Sequence, residues 1–182
     1  MRVGIVIPTV FARPMWLPLS IDSVTSQRPS PSLLLGCPKN LIPELRNLFK
    51  DVPLIAEPRG AALATKINNL IDALPEDCEY VGWLGDDDIL LPSALQAATK
   101  VLDDNPDVVM VYGGCDYISS TGEVLFTNRS SQSASALLKM GPQLIPQPGS
   151  LWRRKAFEKV GGLSSDYSLA FDFDLFLKLS KE

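Results

Sequence analysis

Five short apolar, β-prone runs, at residues 3–7, 32–35, 52–56, 80–84 and 108–112, alternate with stretches whose apolar residues fall at helical spacing. Leu17, Ile21 and Val24 mark a helix over 17–27; Leu41, Leu45, Leu48 and Phe49 mark another over 41–50; residues 61–74 read as a third. Pro92 suits the first turn of a fourth, running to about residue 104, because its missing N–H costs nothing there. A strand buried on both faces reads as a continuous apolar run, and parallel neighbours need a crossover helix between them. The rhythm therefore predicts an α/β domain with a mostly parallel central sheet flanked by helices. Ligands of such sheets gather at the carboxyl ends of the strands, so the residues just after each run matter most.

Beyond residue 112 the rhythm changes. Residues 117–126, broken by Ser119-Ser120-Thr121-Gly122, read as a small antiparallel hairpin. Residues 127–148 are polar and punctuated by proline, a pattern that predicts a mobile loop or a loop with a short helix near 134–139. A strand at 150–152, a helix over 155–160 stopped by Gly161-Gly162, and a last helix from about Phe171 complete the chain. With 182 residues, 46% of them hydrophobic, the expectation is a single domain over 1–182, built from halves at 1–112 and 113–182.

Several function classes drop out on composition. The formal net charge is −4 and no block of Lys or Arg is present, so nucleic acid is not the expected partner. The chain has no histidine, which excludes Ser-His-Asp and Cys-His chemistry and His-ligated zinc. Cys37, Cys78 and Cys115 lack metal-ligand spacing and leave one thiol over in any disulfide scheme, which fits a reducing cytoplasm. Pro8 interrupts the first apolar run before it reaches signal-peptide length, and no stretch approaches the roughly 20 apolar residues of a membrane span.

The run at 80–84 ends in Gly85 and three consecutive carboxylates, Asp86, Asp87 and Asp88. In extended backbone, alternate side chains share a side, so Asp86 and Asp88 are expected to converge while Asp87 faces elsewhere. Two carboxylates about 5 Å apart at an effective dielectric near 20 repel by roughly 3 kcal/mol. A hard divalent cation would remove that cost, and Mg²⁺ or Mn²⁺ needs only one or two carboxylates when phosphate oxygens complete its shell. Solvated loop aspartates or helix caps are the alternative reading of the same residues.

These segments resemble the family 2-type glycosyltransferases with the GT-A, Rossmann-like fold. Ile5-Val6-Ile7-Pro8-Thr9 is similar to that family's opening strand, and Leu84-Gly85-Asp86-Asp87-Asp88-Ile89-Leu90-Leu91-Pro92 to its segment with the DxD-type motif. Asn105-Pro106-Asp107-Val108 and Val111-Tyr112-Gly113 resemble the strand that follows. The stretch from Ser150 to Arg154, Val160-Gly161-Gly162-Leu163, and Asp172-Phe173-Asp174-Leu175 resemble the acceptor-side region and its C-terminal helices.

The resemblance implies an inverting transfer of a sugar from a nucleoside-diphosphate sugar to a hydroxyl on a glycan or lipid-linked acceptor, dependent on Mn²⁺ or Mg²⁺. It assigns Asp88 as principal metal ligand with Asp86 beside it, and Asp86 and Asp87 to the ribose and metal region. Asp172 becomes the catalytic base, Pro8 and Thr9 line the nucleotide pocket, and Arg59 and Lys66 lie near the base or diphosphate. The sequence departs from the family pattern at Leu35-Gly36-Cys37-Pro38-Lys39, which carries no acid, at Gly85, which stands for the first acid, and at Phe171, which precedes Asp172 in place of another. The expected setting is cytoplasmic; contact with the inner membrane face and a homodimer stay open. Alternatives are a catalytically silent GT-A binding module in a polysaccharide assembly complex and a sugar-nucleotide nucleotidyltransferase; the absence of glycine from Val10-Phe11-Ala12-Arg13-Pro14 counts against the second.

Overall fold

A computed structural model of the chain describes residues 2–131, 133–141 and 143–182. Its strands are β1 (Val3–Pro8), β2 (Ser32–Pro38), β3 (Leu54–Glu57), β4 (Tyr80–Trp83), β5 (Met110–Val111), β6 (Cys115–Ile118), β7 (Val124–Asn128) and β8 (Leu151–Arg153). Six of them form one sheet in the order β3-β2-β1-β4-β8-β5, and β6 and β7 pair separately as an antiparallel hairpin. β1 is parallel to both β2 and β4, and β2 to β3. β8 enters antiparallel between β4 and β5, so the far side of the sheet is mixed. A three-residue strand has no pattern of its own to reveal that placement. Gly82 makes it possible: a Cβ there would lie 2.8 Å from the backbone carbonyl of Ser150.

The helices are α1 (Leu17–Thr25), α2 (Ile42–Leu48), α3 (Leu63–Asp72), α4 (Ala94–Asp104), α5 (Ser133–Leu137), α6 (Arg154–Lys159) and α7 (Phe171–Leu179). Alternation along the strands divides the core in two. Ile5, Ile7, Leu33 and Leu35 pack with α1, α2 and α4, whereas Val6, Leu34 and Val81 pack with α3, α6 and α7. Each such side chain taken from water contributes about 1.5–3 kcal/mol. Among the described residues no helix is long and apolar enough to cross a membrane.

The fold class expected from the sequence is observed, with local corrections. Pro92 does not occupy the first helical position: α4 starts at Ala94, after Ser93 adopts the left-handed region at φ 64°. The orphan backbone groups of this entry are met from α1's end. Gln27 accepts from Leu95 N at 3.1 Å and donates to the Leu91 carbonyl at 3.0 Å, while Ser23 Oγ accepts from Leu90 N at 3.1 Å. Residues 127–148 contain α5 and a 3-10 turn at Leu138–Met140; Gln132 and Pro142, which belong to the expected loop, lie outside the described residues. Strand order runs outward from β1, with β2 on one side and β4 on the other, and this brings the carboxyl ends of β1 and β4 side by side.

Candidate active site

The residues after β1 and β4 are tied together. Thr9 N donates to the Gly36 carbonyl at 2.8 Å, which fixes the turn out of the sheet. Its hydroxyl accepts from Phe11 N at 2.9 Å and donates to Asp86 Oδ2 at 2.6 Å. Phe11, whose N–H is held there, sits at φ 56°, an uncommon conformation for a bulky residue. Arg13 then places a single nitrogen, Nη1, 3.3 Å from Asp86 Oδ1 and 3.1 Å from Asp87 Oδ2.

The acidic cluster is not an extension of β4. The strand ends at Trp83, and residues 85–88 close a turn in which Asp88 N donates to the Gly85 carbonyl at 3.2 Å. Strand alternation therefore does not govern the three carboxylates, and the expected convergence of Asp86 and Asp88 gives way to a different pairing. Asp86 is buried against Thr9, with both oxygens engaged. Asp87 and Asp88 crowd instead over Gly85, where an added Cβ would lie 2.5 Å from Asp88 Oδ2 and 3.2 Å from Asp87 Oδ1. Burial, and then the Asp87 charge, push the Asp88 carboxyl above its ordinary range, although Gly85 N–H at 3.3 Å favours its ionised form. Among the described residues no group of three or more carboxylate, thiol or imidazole side chains forms a ready cation cage.

A cleft of about 300 Å³ opens at this edge, lined by Pro8, Arg13, Asp86 and Asp87 at and after the ends of β1 and β4 and by Phe171 and Asp172 from the start of α7. Asp172 sits in the first turn of α7, where the helix dipole favours its negative charge. Phe173 N donates to its Oδ1 at 2.8 Å, and Gln143 Nε2 to its Oδ2 at 3.3 Å. Trp83 forms the floor, edge-on to Trp152 with centroids 5.2 Å apart and tilted against Phe171 at 6.0 Å. Gln147 ties the segment before β8 to this floor by donating to the Trp83 carbonyl at 2.9 Å. Trp152 itself is fully buried and belongs to the core.

The structure gathers Pro8, Asp86, Asp87 and Asp172 around one space, with Thr9 hydrogen-bonded to Asp86. Arg59, exposed in the turn after β3, and Lys66 do not line the cleft. Lys66 pairs at 3.1 Å with Glu57, whose side chain is only 3% exposed. Glu57, at the carboxyl end of β3, is a residue the sequence reading missed, because the run at 52–56 stopped one residue short of it. Its Oε1 is buried with no hydrogen-bond partner among the described residues, over Gly36, where a Cβ would come within 2.7 Å. Arg13 was missed as well; a basic residue in the turn after the first strand was the available signal. Arg153 and Arg154, in the stretch that resembles the acceptor-side region, cap carbonyls at the ends of α4 and α3: Arg153 reaches Leu102 O at 2.6 Å and Arg154 reaches Pro75 O at 2.8 Å. They line a larger cavity of about 510 Å³ at the opposite end of the sheet, remote from the acidic turn.

No family model matches the chain. An uncharacterized glycosyltransferase of Haemophilus influenzae is 22% identical to it, over 98% of this chain and 62% of the relative. The structure of residues 1–349 of Staphylococcus aureus TarS in complex with UDP-GlcNAc superposes with a TM-score of 0.71 at 11% identity, covering 99% of this chain and 53% of that one. The mannosyltransferase PcManGT of Pyrobaculum calidifontis, in complex with GDP-Man and Mn²⁺, superposes with a TM-score of 0.64 at 19% identity, covering 98% and 51%. The chain has a GT-A-type glycosyltransferase fold. It spans roughly half to three-fifths of the length of these proteins. The GT-A fold accounts for the mostly parallel sheet and the separate hairpin, and at such low identity the likeness extends to architecture and not to individual side chains.

Proposed function

We propose that this chain is the catalytic domain of a glycosyltransferase that moves a sugar from a nucleoside diphosphate to an acceptor hydroxyl with inversion at the anomeric carbon. The observation that carries this reading is one cleft lined by Asp86, Asp87 and Asp172 together. The ligands of the structural neighbours, UDP-GlcNAc in one and GDP-Man with Mn²⁺ in the other, support a nucleotide-sugar donor.

A divalent ion fits the acidic turn only in part. One or two carboxylates suffice when phosphate oxygens complete the shell of Mg²⁺ or Mn²⁺. Oxygens of Asp87 and Asp88 come together beside Gly85, an arrangement that suits such a partial site, although of the two only Asp87 lines the cleft. We assign Asp88 as principal ligand and Asp87 as the second; Asp86, given that place by the family pattern, already has a donor on each oxygen. When bound, the ion would supply Lewis-acid stabilisation of the charge that accumulates on the leaving diphosphate.

The chain's own groups do the rest. Pro8 and Trp83 shape the donor side of the cleft, and Thr9 positions Asp86 toward the ribose and diphosphate region. Asp172, held by Gln143 and Phe173 N, accepts the acceptor hydroxyl proton as that oxygen bonds to the anomeric carbon and the bond to the diphosphate oxygen breaks. One base opposite the leaving group is enough for a single displacement. Donor consumption and product stereochemistry, measured with Mn²⁺, with a chelator and for Asp172→Asn, test the scheme. Full turnover in the chelator, or retention of anomeric configuration, would overturn it.

A further inference from the structure

The cleft is electrostatically mismatched to an anionic donor. Three carboxylates, those of Asp86, Asp87 and Asp172, line it, and among its described lining residues Arg13 is the one cation. A diphosphate brought to within about 5 Å of each acid would meet roughly 3 kcal/mol of repulsion per pair of charges at an effective dielectric near 20. A site that takes such a ligand needs positive charge that can move to it.

Arg13 is placed for that. The carbonyl of Arg13 accepts from Trp16 N at 3.0 Å and from Leu17 N at 3.3 Å, so its backbone is fixed at the entry to α1. The side chain is 55% exposed and reaches the acids through Nη1 alone, at 3.1 and 3.3 Å. This is not the bidentate fork-to-carboxylate grip that makes an arginine pair strong. Its Nε and Nη2 carry no ion pair or hydrogen bond to protein among the described residues, so most of a five-donor guanidinium stays available on the cleft side. Planar, weakly hydrated guanidinium suits phosphate oxygens better than any other side chain available in the cleft.

Resting on the donor reading above, we propose that Arg13 is a ligand of the donor diphosphate, parked between Asp86 and Asp87 and transferred to phosphate oxygens when the nucleotide enters. The exchange frees Asp87 for the cation and one oxygen of Asp86 for a ribose hydroxyl, while Thr9 keeps its hold on the other. It also makes Arg13 a determinant of selectivity for diphosphate over the bare nucleoside, which distinguishes it from a loop clamp.

The test is calorimetric binding of UDP and GDP, beside uridine and guanosine, to the wild-type chain, Arg13→Gln and Arg13→Lys, each with EDTA and with Mn²⁺. Arg13→Gln is expected to weaken diphosphate binding about tenfold in either buffer, to leave nucleoside binding unchanged, and to be partly rescued in Arg13→Lys. Equal losses for diphosphate and nucleoside, or no loss, would overturn the assignment to Arg13 while leaving the donor reading in place. Absence of any nucleotide binding by the wild-type chain would overturn both. Thermal unfolding of each variant without ligand reports separately on the loop, so a merely structural role shows as a lowered midpoint without a change in diphosphate preference.

Discussion

The hydroxyl of Thr9 donates a 2.6 Å hydrogen bond to Oδ2 of Asp86, joining the end of the first strand to the acidic turn across 77 residues of sequence. Asp86 is buried and cannot turn to water for that bond. Thr9→Val keeps the shape and removes the donor, leaving a buried carboxylate with one fewer partner. The expected cost is about 2 kcal/mol in urea unfolding, with a larger relative loss in donor affinity than Thr9→Ser produces.

Asp88 predicts a conflict between stability and activity. Its pKa is raised by burial and by Asp87, so the folded protein takes up its proton at a higher pH than the unfolded chain does. Between those two values the folded state binds more protons, and stability rises as pH falls. Glu57, raised chiefly by burial and only partly offset by Lys66, acts in the same direction. Urea unfolding at pH 6.5 and 4.5, with wild type compared against Asp88→Asn, should show an acid-side gain from this group that the variant lacks. That variant should also be more stable than wild type at pH 7.5, by on the order of 1 kcal/mol, yet lose metal-dependent donor turnover by about a hundredfold or more.

For Asp172 the expected result is kinetic. Asp172→Asn retains the hydrogen-bond acceptor but not the base, so kcat should fall by roughly 10² to 10⁴ while nucleotide binding in calorimetry stays within about twofold. A matched loss of nucleotide affinity would place Asp172 in donor binding and not in proton transfer.

Lys66 is expected to act through Glu57. Lys66→Ala leaves a nearly enclosed carboxylate without its counter-ion and should destabilise the fold by about 3 kcal/mol. Adding Glu57→Gln removes the stranded charge and should recover most of that loss. Failure of the second change to rescue the first, together with a selective fall in diphosphate affinity, would return Lys66 to the donor site where family resemblance puts it.

What could be read from the sequence follows from which forces are local. The β1, β2 and β4 strands were legible because Ile5, Val6 and Ile7, Leu33 to Leu35, and Tyr80 and Val81 are apolar on both sides of the pleat. The start of α4 was misplaced because its support is nonlocal: Gln27 and Ser23, more than 60 residues upstream, satisfy the backbone that a local cap would otherwise serve. The acidic cluster was found as a cluster, but its geometry was not, since the change from strand to turn at Gly85 reorders which carboxylates meet. Arg13 and Glu57 escaped notice because each acquires meaning only from a neighbour in another element, Asp86 for one and Lys66 for the other.

The insertion of β8 between β4 and β5 has a consequence for how this molecule is made. Through residue 149 a nascent chain holds every strand of the sheet except the one that bridges β4 to β5, so β5 has nothing to pair with and Trp83 lacks its indole neighbour Trp152. Completion of the sheet waits for a segment synthesised after the hairpin, and a fragment ending at residue 112 should emerge from the ribosome as an unfinished edge and not as a self-sufficient nucleotide-binding module.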